Sequence, residues 1–120
     1  MNLNYEDETD WTIELGDFLT DRDITYTDVT EITLLVKQDL TDLDASALMT
    51  KKLSLSEIAF VDACTVQVVM ASTDFGSGKL IVDGSYLVSI GFSAPSYTGV
   101  LVEMDLKDNT LIIKQDGIRA

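Results

Sequence analysis

Histidine is absent from the 120 residues, cysteine and proline occur once each, and 8 bases face 21 acids. Each shortage closes a class of function. Without histidine, Ser-His-Asp and Cys-His catalysis cannot be built, and the commonest transition-metal ligand is missing. The single cysteine, Cys64, excludes an internal disulfide and a cysteine-rich zinc site. It heads an apolar run with no Lys or Arg nearby in sequence, so it is expected to be a buried small hydrophobe and not a reactive thiol. The formal net charge of −13 repels nucleic acid phosphate and anionic lipid, so neither is an expected partner. No apolar run approaches the roughly 18 residues of a membrane-spanning helix, and the first residues lack a signal-peptide pattern, so synthesis in the cytoplasm is expected.

What is present is a globular composition, with 46% hydrophobic and 24% charged residues, enough for one core at the size of a single domain. The pattern repeats every two residues, the signature of strands with one buried face. Trp11, Ile13 and Leu15 alternate with polar residues. Ile32, Leu34 and Val36 share one face of residues 31–37, with Thr33, Leu35 and Lys37 on the other. Val66, Val68 and Met70 take one face of residues 64–71. Tyr86, Val88, Ile90 and Phe92 oppose Leu87, Ser89, Gly91 and Ser93, the cleanest alternation in the chain. Residues 48–53, 100–106 and 110–114 complete the set, with a short strand expected at 24–26 and only an apolar patch at 58–60. About seven or eight short strands separated by turns predict an antiparallel β-sandwich, immunoglobulin-like in class, over residues 11–120. The last three strands are expected to form a meander. Its predicted core is Ile32, Leu34, Val36, Val66, Val68, Tyr86, Val88, Ile90, Val102 and Met104.

Four local features bear on chemistry. Gly76-Ser77-Gly78-Lys79 has the look of a phosphate loop, but position 73 is Thr and Leu80 follows the Lys, so a flexible turn is expected. Asp39, Asp42 and Asp44 share one loop but lack the calcium-loop continuation and its bidentate Glu, which favours solvated charge over a metal site. Lys51-Lys52 is the one basic pair, expected on a solvent-facing edge strand or against an acidic neighbour. Leu35, Val69, Leu87 and Leu101 fall opposite the predicted core, where exposed apolar side chains mark contacts with other subunits. No enzymatic activity, cofactor or metal is expected.

Residues 28–119 carry a familiar order of phrases. Val36-Lys37 closes a strand, an Asp/Ala-rich connection covers residues 42–47, and Thr50-Lys51-Lys52-Leu53 opens the next strand. Gly84-Ser85-Tyr86 and Ile113-Lys114-Gln115-Asp116 follow. In this the chain resembles small virion structural proteins of tailed bacteriophages, and is similar in layout to the N-terminal immunoglobulin-like domain of phage upper baseplate proteins. Those proteins continue into helical or fibre-forming segments, whereas this sequence stops at Ala120. The resemblance therefore implies a non-enzymatic virion protein at head decoration, neck or head-tail connection, or tail and baseplate attachment. Its expected partners are other virion proteins in symmetric copies, with no small-molecule substrate.

Residues 1–10 hold Glu6, Asp7, Glu8 and Asp10 beside Leu3 and Tyr5, and are expected to form an acidic arm that docks on a neighbour, with a simple extra edge strand as the plainer alternative. Two other functions compete. A carbohydrate- or cell-surface-binding sandwich would use Trp11, Tyr97 or Tyr26 as an aromatic platform. An inhibitor that mimics DNA has only the charge in its favour.

Overall fold

The computed structural model describes residues 2–4, 11–39, 46–76, 78–81, 84–94, 102–104 and 110–114, of which 2–4, 102–104 and 114 are described by backbone alone. Nine strands run through them: β1 (Asn2–Asn4), β2 (Trp11–Glu14), β3 (Glu31–Lys37), β4 (Met49–Lys52), β5 (Ile58–Asp62), β6 (Thr65–Val68), β7 (Ser85–Ser93), β8 (Val102–Met104) and β9 (Thr110–Lys114). They form an all-β sandwich of two sheets. The larger sheet is ordered β1-β9-β7-β3-β4, with β8 also on β7, and the smaller is β2-β6-β5. All pairings are antiparallel except that of β1 with β9.

The alternation of β3 and β7 sets the centre of the core. Their register places Ile32 opposite Phe92, Leu34 opposite Ile90 and Val36 opposite Val88, and all six are buried. Each such side chain contributes roughly 1.5–3 kcal/mol by leaving water. From the smaller sheet, Trp11 pairs with Val68 and Ile13 with Val66, again all buried. Between the sheets' strands, the segment after β2 plugs the core with Phe18, Leu19, Ile24 and Val29. The Phe18 and Phe92 rings lie 5.1 Å apart. Arg22 covers this plug from outside, its guanidinium 3.9 Å from the Phe18 ring and donating to the Phe18 carbonyl at 3.2 Å.

A second anchor is a corner at the start of β7. The Tyr86 hydroxyl accepts the Ile81 N–H at 2.9 Å and donates to the Lys79 carbonyl at 3.5 Å, tying the strand back to the preceding turn as tyrosine corners do in immunoglobulin-like sandwiches. Gly84 lets the ring in: a Cβ there would lie 2.5 Å from the Tyr86 hydroxyl.

Several expectations are corrected. Residues 24–26 form no strand, because 3-10 turns at Thr20–Arg22 and Tyr26–Asp28 curl the chain there. The patch at 58–60 is a full strand, β5, paired along β6. The last three strands are no meander. Both β8 and β9 pair with β7, at Ile90–Phe92 and at Ser85–Leu87, and β3 occupies the opposite edge of β7, so the two follow one edge in succession. Asn2–Asn4 of the expected arm is tied into the larger sheet as an edge strand along Ile112–Lys114. The rest of residues 1–10 lies outside the described residues.

Cys64 is exposed. It sits in the two-residue turn between β5 and β6, where its N–H donates to the Asp62 side chain at 2.8 Å and its carbonyl accepts from Leu15 N–H at 2.7 Å. An Asp whose carboxylate accepts from the amide two residues on favours such a turn, and the turn carries the thiol out of the core.

Candidate functional site

Large exposed apolar side chains among the described residues are Tyr26, Leu55, Val61, Val69 and Ile81. Four of them gather around β5, an outer strand of the smaller sheet. Leu55, 64% exposed, ends the 3-10 turn Leu53–Leu55 that leads into β5. Val61 is 51% exposed because the β5–β6 register slips between Phe60 and Asp62, making it the extra residue of a bulge that no partner covers. Val69 follows β6 and donates its N–H to the Glu57 carbonyl at 2.9 Å, just ahead of β5. Tyr26 reaches β5 from the plug segment, its ring 5.5 Å from that of Phe60.

The edge at β4 differs in kind. Lys51 pairs with core-facing Leu34 and so points inward, where its ammonium donates to the Asp74 carboxylate at 2.8 Å. The same carboxylate oxygen accepts the Ala71 N–H at 2.8 Å. Lys51 is thus buried in an internal ion pair and unavailable to a partner, which corrects its expected role. An inward-pointing charge on an outer strand discourages edge pairing. Lys52, half-buried, faces the other way and lies opposite Thr33. Beside it, Glu31 accepts from the Ser54 hydroxyl at 2.5 Å and from the amides of Ser54 and Ile32. Burial pushes the Glu31 carboxyl up, but these hydrogen bonds and the Lys52 charge outweigh it and hold it below the usual carboxylate range.

The sequence-predicted contact residues separate into two surfaces. Leu35 and Leu87 come together on the outer face of the larger sheet, since Lys37 lies opposite Leu87 and Leu35 opposite Ser89. Both are half-buried, not exposed as expected. Val69 is exposed but belongs to the smaller sheet's surroundings. Leu3 is described by backbone alone, and Tyr5 and Leu101 lie outside the described residues. Leu55 and Val61 were missed because a 3-10 turn and a bulge, which leave little period in a sequence, expose them, while Tyr26, a candidate aromatic platform from the sequence, is exposed at a second such turn.

Lys79 donates to the Thr73 carbonyl at 2.7 Å and closes the glycine turn, in which Gly76 and Gly78 have φ of 128° and 76°. Asp39 is exposed, and Asp42 and Asp44 lie outside the described residues. Among the described residues, no three metal-ligating side chains gather. Two clefts open at the β5–β6 turn: one of about 390 Å³ beside Glu14, Asp62 and Cys64, and one of about 580 Å³ between the plug segment and Ala63. No protein-family model, curated protein or solved structure matches the chain.

Proposed function

We propose that the chain is a non-enzymatic structural subunit of a phage virion, held in repeated copies by protein–protein contacts on the β5 side of its sandwich. The observation that carries the reading is the gathering of Tyr26, Leu55, Val61 and Val69 around one outer strand, while the β4 edge has its lysine turned inward. Exposed apolar side chains concentrated in one region mark an interface, and repetition by symmetry turns weak contacts into a stable particle. The step from interface to virion rests on the resemblance of residues 28–119 to small phage structural proteins. Absence of histidine from the sequence supports a role without catalysis, and the acid excess supports protein partners over nucleic acid. The fitting location is the virion, after synthesis in the host cytoplasm. Quantitative mass spectrometry of particles purified from a lysate carrying the gene tests this. The chain is expected at a fixed multiple of copies per particle, and its absence from the particles contradicts the proposal.

A further inference from the structure

The larger cleft at the β5–β6 turn shares Tyr26 with the contact surface and extends from it to Ala63. Its lining grades from apolar to polar. Leu19 and Ile24 are buried and form the floor, exposed Thr20 and Asp23 form a rim, Tyr26 stands as a half-exposed wall, and Ala63 closes the far side. Its volume of about 580 Å³ lies within the range of small-molecule sites.

We propose that this cleft binds a neutral saccharide, one sugar ring stacking its C–H face on Tyr26 while its hydroxyls donate to Asp23. The ring of Tyr26 packs against that of Phe60, 5.5 Å away and tilted by 57°, which restricts its rotamers while leaving it 43% exposed. Asp23 is held in the left-handed region at φ 55°, its N–H bonded to the Thr20 carbonyl at 3.0 Å, which fixes the backbone from which its side chain leaves. A carboxylate and hydroxyls beside an aromatic face is the combination that suits a polyol: apolar on one side, hydrogen-bonding at the edges.

The same lining argues against other ligand classes. No Lys or Arg lines the cleft, and nearby Arg22 is committed to the Phe18 ring and carbonyl, so an anion finds no counter-charge in a chain of net charge −13. A cation finds Asp23 as the one lining carboxylate. Neighbouring Asp28 is already engaged by the Thr25 hydroxyl at 2.6 Å. The inference does not depend on the virion assignment, since it uses only the cleft.

The test is an amide NMR titration of the full chain with methyl glycosides of neutral hexoses, deoxyhexoses and N-acetylhexosamines. At least one should give saturable shifts confined to residues 19–27 and Ala63, with a dissociation constant on the order of 1 mM for a single ring in an open site. Tyr26→Ala should abolish the shifts and Tyr26→Phe preserve them. Asp23→Asn, which tolerates the left-handed backbone, should weaken binding about tenfold. Silence from the whole panel overturns the proposal, as do shifts that survive Tyr26→Ala. A response to tetramethylammonium in place of sugars would also overturn it.

Discussion

Lys51 and Asp74 show how one residue's cost depends on which partner is removed. The pair is largely shielded, with side chains 7% and 16% exposed, so a lone Lys51 ammonium would stay in the core without its counter-charge. Asp74→Ala should cost about 3 kcal/mol, the lower end for breaking a buried pair, and also loses the acceptor for Ala71 N–H. Lys51→Met keeps the stem's packing and leaves Asp74 its bond to Ala71 and some water, so it should cost about 1 kcal/mol or less. Urea denaturation of the two variants checks the order, and equal losses would remove the asymmetry argued here. At the corner, Tyr86→Phe leaves Ile81 N–H unpaired and should cost about 1–2 kcal/mol. Gly84→Ala drives a methyl into the same ring and should cost about 1–3 kcal/mol.

Among the elements, β3 and β7 were readable residue by residue because a half-buried strand writes its buried face at every second position. Eight of the ten predicted core residues, from Ile32 to Ile90, are buried; the side chains of Val102 and Met104 are not described. Replacing Val88 or Ile90 by Asp should abolish cooperative unfolding, since an unpaired charge at either site costs as much as the domain's total stability of about 5–15 kcal/mol. What stayed hidden had no period. The strand β5 holds an exposed bulge residue, Val61, at the end of its apolar run, and residues 24–26 look β-forming but follow a tight 3-10 turn. Cys64 read as core from its apolar neighbours, although the turn at Asp62 decides its position. The pairing of β1 with β9 gives Asn2–Asn4 the plainer of the two expected forms, an edge strand: deleting residues 1–10 should lower the melting temperature by a few degrees, visible by circular dichroism. Glu31, which links β3 to the Leu53–Leu55 turn, has its carboxyl held low. Its contribution to stability is therefore present above the ordinary carboxylate pKa and is lost as pH falls through the lowered one. Glu31→Gln should flatten the acid limb of the stability profile, and an unchanged limb would contradict the assignment.

For the whole molecule, β4 and β5, two of the outer strands on which side chains are described, carry opposite designs. One is guarded by Lys51 turned inward, the other is rimmed by Leu55, Val61, Val69 and Tyr26. Assembly through the second is the central claim, and a charge placed on it should block assembly without unfolding the domain. Leu55→Lys and Val61→Lys replace exposed side chains, so each should change stability by no more than about 0.5 kcal/mol. The decisive measurement is competition: wild-type and variant chains, isotopically distinguished and supplied together during particle assembly, counted by mass spectrometry in the purified particles. The account predicts that the wild type is incorporated and that both lysine variants are depleted at least tenfold, with unchanged melting temperatures. Incorporation of the variants on equal terms with the wild type would contradict it.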